Sequence, residues 1–187
     1  MATTVREAVP ADAHAIAELH VGVWRTAYRA ILPRQLLDGL SVGLREEFWQ
    51  GLLAGGDDGA TLTLVAEDAP GGSIAGFCSL ALPSRDDGAG ERTAEIAATY
   101  VDPSRWGSGV GKALLGYALD GLRDGPWDDA TLWVFLRNAP GRSFYARSGF
   151  RLDGTKSTHE PSGATTARMR LAFTGGAVRS QRDADQR

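Results

Sequence analysis

Three glycines, Gly107, Gly109 and Gly111, alternate with Ser108 and Val110 where a strand-like pattern gives way to a helical one. Glycine lacks a Cβ atom, so a turn of this composition lets a ligand approach the backbone closely. The first amide groups of a helix have no partner inside the helix, and the helix dipole places partial positive charge on them. The spacing therefore predicts a phosphate-binding turn at the start of a helix.

Two common glycine-rich phosphate loops do not fit this turn. A Walker-type loop needs glycine five positions before the Gly-Lys pair and Ser or Thr after it, but these positions hold Trp106 and Ala113. The dinucleotide fingerprint needs a third glycine three residues after the second, and either Lys112 or Leu114 stands there. We therefore reject both the magnesium-nucleotide and the dinucleotide interpretations.

What remains resembles the acyl-CoA-binding signature of the GNAT acetyltransferase superfamily, Q/R-x-x-G-x-G/A, whose small residues fall on Gly109 and Gly111. The first position of that signature is Trp106 here, which departs from the Gln or Arg of the family. Two further blocks extend the resemblance, namely Tyr100-Val101-Asp102-Pro103 before the turn and an N…FY…GF segment after it, formed by Asn138, Phe144-Tyr145 and Gly149-Phe150. Residues 1–173 are accordingly interpreted as one domain of this family.

The resemblance implies an α+β fold, with a mixed central sheet of about seven strands and about four helices. It also implies that the strand ending at Val101 and the strand starting at Thr131 splay apart, so that the pantetheine arm of acetyl-CoA enters between them. The arm would pair with the backbone of Ala98, Thr99, Tyr100 and Val101. The diphosphate would bind the turn formed by Trp106, Gly107, Ser108, Gly109, Val110, Gly111 and Lys112.

Tyr145 is the candidate general acid. In the family the matching tyrosine lies beside the thioester sulfur and can protonate the departing thiolate, a role suited to a hydroxyl that stays neutral at pH 7. The alternative is that Phe144 and Tyr145 only fill the core. Asn138 is expected to cap the following helix, and the family implies that it also hydrogen-bonds the pantetheine.

Glu95 is the candidate general base. It precedes the phosphate turn on the same strand, and some family members carry their base at this position, acting directly or through water. Two alternatives are equally open: a solvated strand carboxylate, and one that merely holds a cationic substrate. Cys78 is a weaker candidate for a nucleophile, because a lone cysteine in a strand usually belongs to the core. His14, His20 and His159 lack metal-ligand spacing, so we expect no metal.

Four aromatic residues, Trp24, Tyr28, Phe48 and Trp49, lie in the N-terminal helices, which shape the acceptor pocket in this family. Helical core is the first interpretation of all four, but Trp24 or Tyr28 facing the pocket near Glu95 would suit a cationic amine. The expected activity is direct transfer of the acetyl group from acetyl-CoA to a primary amine of a small molecule. A protein α-amine or lysine acetyltransferase and a non-catalytic acyl-CoA sensor are the alternatives, and a homodimer is left open.

Composition agrees with this interpretation. The chain has 187 residues, 43% of them hydrophobic, and a net charge of −3, which provides no basic footprint for nucleic acid or an anionic membrane. There is no long apolar run and no signal-peptide core, and the single cysteine excludes an internal disulfide. We therefore expect a cytoplasmic protein. The polar loop Pro83–Gly90 is expected to be mobile, and residues 174–187 are expected to be a disordered tail.

Overall fold

Within the part of the chain that the structure describes, seven strands form one mixed sheet in the order β1-β2-β3-β4-β5-β7-β6. The computed structural model describes residues 3–55, 61–69 and 71–173. Neighbouring strands run antiparallel, except for β4 and β5, which are parallel. The strands are β1 Thr4–Glu7, β2 Thr61–Glu67, β3 Ile74–Ala81, β4 Thr93–Val101, β5 Asp129–Phe135, β6 Arg151–His159 and β7 Ala164–Ala172.

The described residues contain five α-helices, which are α1 Ala13–Ala27, α2 Arg34–Asp38, α3 Val42–Leu53, α4 Val110–Asp124 and α5 Ala139–Arg147. All except α2 are longer than seven residues, so the expected α+β architecture of about four helices on a seven-stranded sheet is confirmed. Ser41 is the N-cap of α3, because its Oγ accepts the amide of Leu44 at 3.3 Å. Val9 cannot cap the first turn, and Asp12 accepts the Val9 amide at 2.8 Å instead.

The helices cover both faces of the sheet and bury separate clusters. The α4 face holds aliphatic side chains such as Leu114, Leu132 and Met169. The opposite face packs α1 and α3 on the sheet through Ile16 and Trp49, among others. Because side chains alternate along a strand, each strand contributes residues to both faces.

The sheet opens between β4 and β5. The two strands pair only from Thr93–Asp129 to Glu95–Thr131, although β4 continues to Val101 and β5 to Phe135. On its other side, β4 carries a bulge, since Leu80 pairs with Ile96 and the adjacent Ser79 pairs with Ala98, leaving Ala97 unpaired. A bulge bends its strand and increases the local twist. The predicted splay between these strands is therefore present.

Some sequence expectations differ from the structure or lie outside the described residues. Phe48 was expected in the helical core, but half of its surface is exposed. The loop Pro83–Gly90, expected to be mobile, makes specific contacts: Asp86 forms an ion pair with Arg168, and Ser84 and Arg85 bind Glu95. The expected tail, residues 174–187, lies outside the described residues. No helix in the described part of the chain is long and apolar enough to cross a membrane.

Candidate active site

The turn before α4 presents unpaired amides at a helix N-terminus. Gly107 and Gly109 have φ values of 80° and 98°, which disfavour residues with a side chain, and a Cβ at either position would meet nothing within 4 Å. The first helical bond runs from the Ala113 amide to the Gly109 carbonyl at 2.9 Å. Among the described residues, the amides of Val110, Gly111 and Lys112 donate no hydrogen bond. The turn therefore offers donors and open space to an anion.

Gly111 has a different reason to be glycine. A Cβ atom at this position would lie 3.3 Å from Cε2 of Phe144 and 3.4 Å from Cγ2 of Val101. The side-chain-free position thus lets α4, α5 and β4 approach each other, whereas only the backbone of Gly111 faces the turn. Val110 is likewise buried by its side chain, with 1% exposed, so only its amide is available to a ligand.

Trp106, which replaces the Gln or Arg of the family signature, closes the turn onto the end of β4. Its Nε1 donates to the Val101 carbonyl at 2.8 Å, although half of the side chain is exposed. Ser108 adds a bond from its Oγ to the Arg105 carbonyl at 2.7 Å, and Arg105 forms an ion pair with Asp68. The turn is therefore held by side chains on both sides, and the Val101 carbonyl already accepts one bond.

Asn138 is the N-cap of α5, as predicted. Its Oδ1 accepts the Gly141 amide at 3.1 Å. A Cβ at residue 141 would collide with the Asn138 side chain, so glycine at that position lets the asparagine fold over the helix end. Within the described residues Nδ2 has no partner, which leaves its two N–H groups available to a ligand carbonyl.

Tyr145 is partly buried and packs against the core on the α4 side of the sheet. Its ring contacts those of Phe144 and Phe150, with centroids 5.0 and 6.0 Å away. Burial raises the pKa of Tyr145 well above its usual value, and contact with Thr99 only partly offsets this shift. The phenol therefore keeps its proton at pH 7, which is the state that a general acid requires.

Glu95 lies on the opposite face of the sheet. Its neighbours Ala94 and Ile96 are buried on the α4 side, so its own side chain is directed away from α4. The carboxylate accepts two bonds of 3.2 Å, from Ser84 Oγ and from the Arg85 amide. Consequently the two proposed catalytic groups stand on opposite sides of the gap between β4 and β5.

Beyond Glu95, the face of the sheet that carries it is covered by aromatic rings. Trp24 and Tyr28 are both there, with ring centroids 5.3 Å apart, and Tyr28 lies 4.9 Å from Phe135. His159 closes the group, 5.2 Å from Phe135. Tyr28 is buried and Trp24 partly buried, so both have the core role expected first, while they also border this side of the gap.

Sequence reasoning missed several residues of this face, which are the Tyr100 ring, Trp133, Phe135, His159 and Arg45. Alternation along β5 would have placed Trp133 and Phe135 on the face of Thr131. No local signal indicates Arg45, whose Cζ lies 5.9 Å from the centre of the Trp24 ring. In the described ranges, no group of three His, Cys, Asp or Glu side chains is arranged to hold a metal ion.

These features define an acyltransferase, and the chain belongs to the acetyltransferase (GNAT) family, whose model matches residues 24–150. Its enzyme class is acetyl-CoA-dependent N-acetyltransferase. It is 34% identical over 142 residues to the uncharacterized N-acetyltransferase YuaI of Bacillus subtilis, covering 76% of both chains. It is also 31% identical over 164 residues to Rv2775 of Mycobacterium tuberculosis, named a probable N-acetyltransferase, covering 84% of each.

Solved structures share the fold. The PaiA N-acetyltransferase of Thermoplasma acidophilum, in complex with coenzyme A, superposes with a TM-score of 0.75 at 20% identity, covering 92% of this chain and all of that one. YncA of Salmonella typhimurium, solved with acetyl-CoA, gives a TM-score of 0.67 at 22% identity, covering 94% of this chain and 96% of that one.

Proposed function

We propose that this enzyme transfers the acetyl group of acetyl-CoA directly to a primary amine of a small molecule. One observation carries the proposal: β4 and β5 separate after Glu95, and the two candidate proton-transfer groups flank the gap from opposite faces. A thioester lying in this gap would be open to an amine from the Glu95 side, while its sulfur would leave towards Tyr145. No covalent enzyme intermediate is needed, so positioning both substrates supplies much of the rate gain.

The residues of the cofactor side fit an extended acyl-CoA. Unpaired amides of Val110, Gly111 and Lys112 would bind the diphosphate, and the free Nδ2 of Asn138 would donate to a pantetheine carbonyl. The backbone from Ala98 to Val101, which lies in the part of β4 that has no partner on β5, would pair with the pantetheine amides. Acetyl-CoA supplies the activated acyl group, and the protein supplies binding, orientation and proton transfer.

Proton transfer divides between two side chains. A primary amine has a pKa of about 10.4 and is mostly protonated at pH 7, so Glu95 takes its proton directly or through water. The carboxylate is held for this by Ser84 and the Arg85 amide. Tyr145, whose pKa is raised by burial, gives its proton to the departing thiolate.

Two variants test these roles. Tyr145→Phe keeps the ring and its packing, so it should lower kcat by about 10²-fold or more with little effect on acetyl-CoA affinity. Glu95→Gln should lower kcat most at low pH and partly recover as the pH rises, because more of the amine is then neutral. Glu18→Gln, at a carboxylate with 63% of its side chain exposed, is the matched control and should change neither.

The assay is CoA release with correction for acetyl-CoA hydrolysis, over amines, aminoglycosides, polyamines and peptides. An equal fractional loss for Glu95→Gln at every pH would make Glu95 a binding or structural carboxylate. Acetylation of peptides in preference to free amines would favour the protein-modifying alternative. CoA binding without transfer to any acceptor would favour the sensor.

A further inference from the structure

Arg45 on α3 is a half-buried cation without a counterion. Among the described residues, its guanidinium forms no hydrogen bond and no ion pair, and its Cζ lies 5.9 Å from the centre of the Trp24 ring. The positive charge of Arg45 also acts on the buried His20 ring. Together with burial, which has the larger effect, it lowers the pKa of His20 to about 3. An arginine that is partly buried beside an aromatic ring is suited to bind a carboxylate or phosphate, because its planar guanidinium matches their geometry.

The groups around Arg45 are also donors rather than acceptors. Trp24 Nε1 is buried and has no hydrogen-bond partner in the described part of the chain, and it lies near the Tyr100 hydroxyl without bonding to it. His20 is neutral and accepts a bond at Nδ1 from Trp49, 3.3 Å away, so its ring proton is on Nε2. Arg and Trp side chains donate only. The site therefore lacks an acceptor-only partner, which a carboxylate would provide.

A groove on the far side of the aromatic residues has the same sign of charge. It has a volume of about 590 Å³ and is lined by residues 29–33, 136–137 and 162–165. Two arginines, Arg29 and Arg137, border it, and no Asp or Glu is among the described residues that line it. Leu32 and Ala164 contribute both to this groove and to the cluster of Tyr28 and Phe135. The aromatic residues thus stand between positive groups on two sides.

These charges bear on the expectation that an aromatic wall would suit a cationic amine. The ring of Trp24 that could attract such a cation already carries the Arg45 guanidinium. A polyamine would add positive charge next to Arg45 and Arg29, and like charges at short distance repel by several kcal/mol. The wall therefore disfavours a polycation.

We propose that the acceptor is a small amine that carries a carboxylate, an amino acid or a close analogue. Its carboxylate binds the Arg45 guanidinium and Trp24 Nε1, while its amine is directed towards the gap and Glu95. A carboxylate accepts two parallel bonds from a guanidinium, which fixes orientation as well as affinity. This inference rests on the proposed function, since it names the substrate class of the same site.

Binding to the enzyme–CoA complex tests the inference without turnover. The probes are the standard amino acids, each compared with its own amide, in which the carboxylate is neutralised and the amine is kept. Calorimetry should show that at least one acid binds about tenfold or more tightly than its amide, a difference equal to about 1.4 kcal/mol. Arg45→Gln should remove this difference, and Trp24→Phe should reduce it.

The matched control is Arg34→Gln, which removes the same charge from a side chain that is 93% exposed. It should leave the preference for acids unchanged, and the affinity of each variant for CoA should equal that of the wild type. Because CoA affinity reports on folding, an Arg45 variant that merely unfolds is recognised. If the acids and amides bind alike, if none of the acids binds, or if Arg45→Gln keeps the preference, the inference is wrong.

Activity separates this inference from the proposed function. Acids that bind through Arg45 but receive no acetyl group would overturn the inference, because the ligand of Arg45 would then not be the acceptor, and acetylation of other amines would leave the proposed function intact. Spermidine, amides or peptides that are acetylated better than free amino acids would overturn the inference and leave acetyl transfer intact.

Discussion

Replacing Gly109 with aspartate tests the phosphate turn most directly. The residue has a φ of 98° and open space around its Cβ position, so a larger side chain meets no clash. Asparagine and aspartate tolerate left-handed backbone better than other residues with side chains. Gly109→Asn therefore provides a variant of nearly the same shape without the charge, and the difference between the two isolates electrostatics.

The size of that difference follows from Coulomb's law. A carboxylate about 5 Å from one charge of a diphosphate interacts with it by roughly 3 kcal/mol at an effective dielectric constant of about 20. Each 1.4 kcal/mol is about a factor of ten in affinity, so Gly109→Asp should bind CoA about 100-fold more weakly than Gly109→Asn. At about 1 M salt the Debye length falls to about 3 Å, and most of this difference should disappear.

Calorimetric titration with CoA at low and high salt measures the effect. Gly121→Asp is the matched control, because Gly121 is an exposed residue of the same helix, twelve positions and about 18 Å along the axis from the turn. It should leave CoA affinity unchanged. Equal affinities for Gly109→Asp and Gly109→Asn would refute the assignment of the diphosphate to this turn.

Two further predictions concern buried titratable groups. His20 has a folded pKa of about 3, below its usual 6.5, so the folded state binds fewer protons and stability is lost as the pH falls from about 6.5 towards 3. Denaturant unfolding between about pH 4.5 and 6.5 should show the wild type losing up to about 1.4 kcal/mol per pH unit more than His20→Gln; parallel curves would contradict this. Burial raises the pKa of Cys78 to about 11, so a thiol reagent at about pH 8 should react with it only after denaturation. Fast labelling of the folded protein would show that the β3 strand opens.

Much of the fold could be predicted from the sequence because its signals are local. The sequence pattern predicts strands over Thr93–Val101 and Thr61–Glu67, and these are the bounds of β4 and β2 in the structure. Both segments alternate or are bounded by turn residues, and such patterns depend on few neighbours. The cap at Asn138 was predicted for the same reason, since a cap needs only its own helix end.

The acceptor side could not be predicted because its residues are distant in sequence. Arg45 comes to Trp24 through the packing of α3 on α1, and His159 reaches the same rings from the far end of the sheet. Gly111 is a second example of what the sequence does not show. Its glycine signature predicts a ligand-facing turn, but its packing against Phe144 depends on the position of α5 in the fold. Contacts between residues that are this far apart in the sequence depend on the tertiary structure.

The bulge at Ala97 shifts the alternation of side chains along β4 by one residue. Before it, Ala94 and Ile96 belong to the α4 core; after it, the odd-numbered Thr99 and Val101 take that face, and Tyr100 joins Glu95 on the other. A substitution in this strand would change only the contacts of the substituted side chain. A single-residue deletion at Ala97 would instead remove the bulge and leave each later residue on its present face, because Ala98 would then follow Ile96 in regular alternation. Ala97 therefore contributes the local bend and twist of β4 beside the gap, and the side chains on the two faces of the strand would be the same without it.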